Sequence, residues 1–98
     1  MREIAVERLA AGMAVLMQTD SPVRQWMRRH RGGSEKWLTP THYNPSFGKI
    51  PGPTGELEYI LVEVAKVMPP YVVVFHDDGD GSVTLWIDMR EVTLFAAE

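Results

Sequence analysis

A short basic segment carries the residue types that most readily bind an anionic partner. Arg28 and Arg31 are the central candidates, and Trp26 is interleaved with them. Guanidinium groups donate hydrogen bonds to phosphate or carboxylate oxygens, and aromatic rings stack on unpaired bases or anchor protein interfaces. The segment therefore predicts a partner-binding site. Together with basic and aromatic residues that follow it, the candidate residues are Arg24, Trp26, Arg28, Arg29, Arg31, Lys36, Trp37, Tyr43 and Phe47.

The backbone that would position this segment has two interpretations. Residues 22–31 are predicted as a short helix, because Asp20 or Ser21 can cap it. Pro22 fits the first turn of such a helix, and a pair of glycines at 32–33 can end it. At helical spacing one side would be apolar and the other cationic. The alternative is an arginine-rich loop inserted between the first two strands of a barrel.

Residues 32–55 are rich in Gly, Pro, Ser and Thr, yet they also contain Trp37, Tyr43 and Phe47. A disordered linker would be poorer in aromatic residues, so we expect a long ordered loop, with a short strand at residues 36–39. Long ordered loops often carry function.

The closing part of the chain, residues 71–95, predicts a hairpin followed by a last strand. If residues 77–81 form the hairpin loop, Phe75 lies opposite Val83 and the strands share one apolar face. A two-residue turn at Asp-Gly, residues 78–79, is the alternative and would shift every side chain. We favour the longer loop.

In the favoured register, Val72 and Trp86 share the second, mixed face of the hairpin. An exposed aromatic residue beside a valine forms an apolar patch, so this pair predicts a surface for self-association or for a ligand.

The other polar residues point away from catalysis and metal binding. The acidic loop at residues 77–80 lacks the spacing and the closing glutamate of a calcium loop, and turn chemistry explains it better. His30, His42 and His76 lack the spacing of zinc ligands, and no serine has a nucleophile-elbow context. We therefore expect no catalytic residues, no metal and no cofactor.

The N-terminal run at residues 6–17 resembles the opening of small SH3-like β-barrels. The match is carried by Val6, Leu9, Gly12, Met13 and Val15, and the spacing from Val72 to Leu94 resembles the closing strands of the same barrels. The resemblance implies a mainly β fold, a small SH3-like barrel of about five strands with one short helix and a long ordered loop. As a helix, residues 3–11 would have good formers; as strand, turn and strand, they fit the barrel.

The expected organisation is one domain spanning residues 1–98. Its barrel strands are predicted near residues 4–17, 57–67, 71–76, 82–88 and 92–95, with the helix and the loop inserted at residues 20–56.

Composition narrows the class of protein. Ten Lys and Arg against thirteen Asp and Glu give a net charge of −3, which argues against a uniformly basic nucleic-acid binder. No apolar run is long enough to span a bilayer, and charges at residues 3, 7 and 8 interrupt the run that a signal peptide needs. We expect a cytoplasmic protein without a membrane partner.

These observations lead to three hypotheses of function. The first is a non-enzymatic binding module, such as the compact regulatory inhibitors made by phages, that docks on a protein partner through the arginine segment and the aromatic loop. The second is a nucleic-acid-binding small barrel.

The third reading is an oligomeric ligand-binding protein or an enzyme. Plasmid-borne dihydrofolate reductases are tetramers of SH3-like barrels with a Val-Gln-Ile-Tyr stretch in a late strand. Residues 83–86, Val-Thr-Leu-Trp, occupy a similar place here, but the Gln and the Tyr are absent. The protein-binding reading is favoured because the chain is net acidic and Trp, Tyr, Phe and Arg are typical anchors of protein interfaces.

Overall fold

The computed structural model describes residues 1–38 and 41–97. The fold is mainly β, and its only helical element in those residues is a single turn of 3-10 helix at Val6–Arg8. The strands are β1 (Glu3–Ile4), β2 (Ala14–Gln18), β3 (Ser21–Val23), β4 (Gln25–His30), β5 (Glu35–Leu38), β6 (Thr41–Tyr43), β7 (Ile50–Pro51), β8 (Glu58–Met68), β9 (Tyr71–Asp77), β10 (Gly81–Asp88) and β11 (Leu94–Ala96).

Nine strands form one antiparallel sheet in the order β1-β11-β2-β8-β9-β10-β4-β5, with β7 added beside β8. Strands β3 and β6 pair separately as a two-stranded sheet. Among the described residues no pairing joins β1 to β5, so the sheet is open rather than a closed five-stranded barrel.

Alternation along the central strands divides the sheet into an inner and an outer face. In β8, Ile60, Val62 and Val64 are buried, whereas Leu61 and Glu63 point outward and are exposed. The inward side chains of the neighbouring strands join one core with residues from β1, β3, β6 and the turns: Ile4, Leu9, Val15, Met17, Val23, Tyr43, Ile60, Val62, Val64, Val72, Val74, Val83, Leu85, Ile87, Val92 and Leu94.

The sequence predicts the closing strands, but its hairpin register is wrong by one residue. Val83 lies opposite His76, not Phe75, and the last pair before the loop is Asp77 with Ser82. Gly81 is already part of the sheet, where it lies opposite His30 of β4. The loop is therefore shorter than expected, and every side chain of β9 points to the opposite face from the one predicted.

The predicted helix at residues 22–31 is also wrong, as is the inserted arginine loop. This segment contains β3 and β4, and β4 is paired on both sides, with β10 and with β5. Cross-strand pairing on both sides satisfies the backbone groups that a helix would otherwise bond internally, and tertiary pairing overrides a weak local preference.

The remaining segments follow the strand interpretations. Residues 3–17 form a strand, a turn and a strand, with Gly12 at a φ of +92° in the turn. The strand expected at 36–39 corresponds to β5, although Thr39 lies outside the described residues. The described residues of the loop predicted between 32 and 55 also form the short strands β6 and β7.

Candidate functional site

The strand conformation splits the arginine segment between the two faces of the sheet. Trp26 lies opposite Leu85 and Arg28 lies opposite Val83, so both side chains belong to the inner face. Met27 and Arg29 alternate with them and point to the outer face. The segment is therefore not the single cationic surface that a helix would have presented.

Ion pairs neutralise two of the arginines that remain near the surface, Arg24 and Arg29. Arg24 donates hydrogen bonds to Asp88 at 3.3 Å and to Glu91 at 2.7 Å. On the outer face, Arg29 Nε lies 3.0 Å from Glu35 Oε1. These cations already have anionic partners within the chain, which lowers the positive potential of the segment.

Two further basic residues hold the acidic hairpin loop. Arg31 donates to the carbonyl oxygen of Gly79 at 3.0 Å, and His30 Nδ1 lies 3.2 Å from Asp80 Oδ2. The loop residues 77–80 are thus held by the last residue of β4, His30, and by Arg31, which follows it. In the loop itself, the Asp77 carboxylate accepts a hydrogen bond from the Gly79 amide at 2.9 Å, as the turn interpretation expects.

Arg28 forms an ion pair with Asp78 in a largely closed environment. The exposed fraction is 21% for the Arg28 side chain and 6% for that of Asp78. The guanidinium also lies 5.7 Å from the centroid of the Trp26 ring. Trp26 Nε1 is buried and has no hydrogen-bond partner among the described residues. Arg28 therefore makes its ion pair and its aromatic contact within the protein and is not a free charge at the surface.

Next to this ion pair, a buried Tyr43 hydroxyl and His76 Nδ1 share a hydrogen bond of 2.8 Å. Burial raises the pKa of Tyr43, and the nearby Asp78 adds to the increase. Burial lowers the pKa of His76, although Asp78 and Asp77 oppose that change. Both side chains are consequently held in their neutral forms at neutral pH.

The long loop closes this end of the core. A side chain placed on Gly48 would come within 3.6 Å of His76 Nε2, and the ring of Phe47 lies close to Gly79. Trp26 and Tyr43 also meet edge to face at 5.7 Å. A packed polar network of this kind fits a stabilising role.

A second buried carboxylate was missed by sequence reasoning. Asp88 accepts hydrogen bonds from the Arg90 guanidinium at 2.8 Å and from the Arg90 amide at 2.9 Å. These bonds hold the pKa of Asp88 well below its usual range. The Asp-x-Arg pattern at the end of β10 was the available signal, because a carboxylate can bond the amide and the side chain two residues later.

The outer face of the sheet carries a row of laterally paired side chains across five strands. Adjacent strands bring together, in order, Glu63, Phe75, Thr84, Met27 and Trp37. We call this set the outer row.

Three large apolar side chains on this face are exposed to solvent. The exposed fractions are 59% for Trp37, 42% for Phe75 and 49% for Leu61, which precedes the outer row on β8. Leu61 and Phe75 line one shallow recess together with Ala14 and Glu63. Trp37 lies three strands from Phe75 on the same face, with Thr84 and Met27 between them.

The structure brings only some of the predicted binding residues together. Lys36 and Trp37 both lie on β5, Tyr43 is buried, and Phe47 is exposed in the long loop. Phe75 was missed because the predicted register turned it toward the core. Leu61 was not named as a binding residue, although the alternation along β8 separates it from the buried Ile60 and Val62.

The predicted self-association pair is corrected as well. Val72 is fully buried in the core, so it cannot form a surface patch with Trp86. Trp86 is half-buried on the outer face opposite Val73 and lines a recess with Arg24, Gln25 and Tyr71. Thr84 shares that face, whereas Val83 and Leu85 point into the core.

Comparisons with protein-family models, with curated proteins and with solved structures find no match to this chain. Within residues 1–38 and 41–97, no three His, Asp or Glu side chains are grouped as a metal ion would require. No helix in the described part of the chain has the length and apolar character needed to cross a membrane.

Proposed function

We propose that this protein is a non-enzymatic module that binds a protein partner through the outer face of its sheet. The observation that carries this proposal is the set of exposed apolar side chains, Trp37, Phe75 and Leu61, on the outer face of one sheet. We also keep the SH3-like barrel as a hypothesis for the fold family, on the resemblance of the opening and closing strands.

The chemistry of this face suits a protein partner. Trp, Phe and Met are enriched at protein interfaces, and burying an exposed aromatic side chain supplies much of the binding free energy. Polar residues border the apolar ones, with Glu63 beside Phe75 and the Arg29–Glu35 ion pair beside Met27. An apolar centre with a polar rim is the usual anatomy of a protein interface.

Nucleic acid is a weaker candidate because phosphate binding requires available cations. Arg24, Arg28 and Arg29 are each within 4.0 Å of a carboxylate of the same chain. A phosphate backbone would have to compete with these carboxylates, and the net charge of −3 opposes its approach.

The proposal is tested with three baits in quantitative capture from cell extract: wild type, the double variant Leu61→Gln/Phe75→Thr, and Leu57→Gln. Leu57 is the matched control, since it is 45% exposed but lies in the turn before β8 rather than beside the outer row. We expect one protein to be captured by wild type and Leu57→Gln and lost with the double variant.

Equal capture by all three folded baits would contradict the proposed surface. Capture that disappears after nuclease treatment would contradict a protein partner and favour nucleic acid.

A further inference from the structure

One end of the sheet is open at β5. In the part of the chain that the structure describes, β5 pairs with β4 and has no strand on its other side. The amide of His30 donates to the carbonyl oxygen of Ser34 at 2.9 Å, which shows which residues of β5 direct their backbone groups toward β4. Because backbone groups alternate in direction along an antiparallel strand, Lys36 and Leu38 bond toward β4.

The same alternation directs the backbone N–H and C=O groups of Glu35 and Trp37 toward solvent. Unpaired edge groups of this kind are a template for another strand. The side chain of Trp37 adds a large exposed apolar surface at the same place.

We propose that two copies of this chain associate by antiparallel pairing of β5 with β5, about a twofold axis beside Trp37. The inference goes beyond the proposed function, since it concerns self-association through the backbone edge of β5; Trp37 belongs to both surfaces. The two sheets would become continuous, and their outer faces would lie on the same side.

The direction of the backbone N–H and C=O groups restricts the register of this pairing. The outward-bonding residues of one strand must lie opposite outward-bonding residues of the other, so Trp37 can oppose Trp37 or Glu35. Lys36 cannot oppose Trp37, because the backbone groups of Lys36 already face β4.

Charge then selects between the remaining registers. If Trp37 opposed Glu35, the two Lys36 side chains would lie directly opposite each other, and like charges in that position are destabilising. If Glu35 opposed Glu35, two carboxylates would meet in the same way. With Trp37 opposite Trp37, Lys36 lies opposite Leu38, and no like charges oppose each other within β5.

The selected register also matches the side chains. The two Trp37 residues exchange two backbone hydrogen bonds, and their indole rings become neighbours on the outer face. Aromatic cross-strand pairs are among the favourable pairs in sheets. Repulsion between the two Lys36 side chains in one alternative register, and between the two Glu35 side chains in the other, thereby favours the register with Trp37 opposite Trp37.

The first test is the oligomeric state of the purified full chain by sedimentation equilibrium over a wide concentration range. We expect wild type to show a monomer–dimer equilibrium and Trp37→Pro to be a folded monomer. Proline removes the edge-facing N–H of Trp37, which is not used by β4, and proline is tolerated on edge strands. Wild type that stays monomeric at all concentrations would overturn the proposal, and so would a dimer that survives in folded Trp37→Pro.

The second test measures the register directly. The chain has no cysteine, so each introduced thiol is the only one. Residues opposite each other across the axis bring their Cβ atoms within reach of a disulfide. Trp37→Cys should form an intermolecular disulfide on the order of tenfold faster than Glu35→Cys or Leu61→Cys. Equal rates for the three variants, or a faster rate for Glu35→Cys, would overturn the register.

The oligomeric state is measured on the purified chain alone, so it does not depend on the result of partner capture. Loss of the dimer leaves the Leu61 and Phe75 comparison unaffected, because neither residue lies on β5. An extended segment of another protein on the β5 edge would appear as a monomeric wild type whose capture is lost in Trp37→Pro but kept in Leu61→Gln/Phe75→Thr, which overturns self-pairing.

Discussion

Arg28 and Asp78 carry opposite charges into a part of the molecule that is largely closed to water. Removing one member of such a pair leaves the other charge without compensation, and this is far more costly than losing a pair at the surface. Arg29, the neighbour of Arg28 on β4, forms the surface counterpart with Glu35 of β5 at 3.0 Å.

We predict that Arg28→Ala lowers the free energy of unfolding by about 3 kcal/mol, whereas Arg29→Ala changes it by less than about 1 kcal/mol. Denaturant unfolding of the three proteins measures the difference. Equal effects of the two substitutions would show that Arg28 is a surface residue, as the sequence alone suggests.

His76 gives the fold a dependence on pH in the mildly acidic range. Because burial lowers its pKa in the folded state, the unfolded chain takes up the proton first as the pH falls. Stability from the neutral imidazole is therefore complete above about pH 6.5 and is lost as the pH falls from there toward the lower folded pKa.

We predict that wild type loses more stability between pH 7 and pH 5 than His76→Gln does. His30 and His42 are present in both proteins, so the difference between their unfolding curves isolates His76. Tyr43, Asp77, Asp78 and Arg28 surround the imidazole and are likewise unchanged. Curves that run parallel across this pH range would refute the buried neutral imidazole.

These residue roles were only partly readable from the sequence. Composition identifies Arg28 and Tyr43 as residues able to bind something, but not that their partners are Asp78 and His76 of the same chain. Each pair joins residues more than thirty positions apart, as the separation of 33 between Tyr43 and His76 illustrates. Local spacing carries no information about such contacts.

At the scale of elements, the loop between β9 and β10 sets which side chains face the core. Gly81 has a φ of +151°, and a Cβ there would clash with the carbonyl oxygen of Arg29. Gly12 also has a positive φ, but nothing lies within 4 Å of its missing Cβ. Substituting each glycine by alanine therefore distinguishes the cost of an unfavourable backbone conformation, which applies at both positions, from the cost of a steric clash, which applies at Gly81.

We predict that Gly81→Ala destabilises the protein by at least about 3 kcal/mol, because β4 and β10 must move apart to admit a methyl group. Gly12→Ala should cost only about 1–2 kcal/mol, the conformational penalty alone. Thermal and denaturant unfolding compare the two variants. Similar losses for both would contradict the close contact between Gly81 and β4.

Periodicity was a good guide to the long strands and a poor guide to their neighbours. Alternating apolar residues identify β8, and Pro69 marks its end, because these signals lie within the strand itself. The register of β9 against β10 depends on Gly81 entering the sheet beside β4, which no local pattern shows. Likewise, residues 25–30 are a strand because β10 and β5 pair with them, despite fair helix propensity.

For the whole molecule, one face of the sheet buries the core and the other presents Trp37, Phe75 and Leu61. A strand that alternates between core and solvent normally places polar residues outside. The departure from this rule spans several strands, which is why we assign it to recognition. Sequence reasoning reached a protein-binding module from the same residue types, but it placed the surface on a cationic helix that does not form.

The dissociation constant of the captured partner, measured with purified proteins across a salt series, tests the central proposal most directly. We expect Leu61→Gln/Phe75→Thr to weaken binding by about thirtyfold or more, the effect of losing roughly 2 kcal/mol of apolar contact. Leu57→Gln should bind as wild type does, and salt should have little effect. Unchanged affinity in the folded double variant, or affinity that falls steeply with salt in all three proteins, would contradict recognition by the outer face of the sheet.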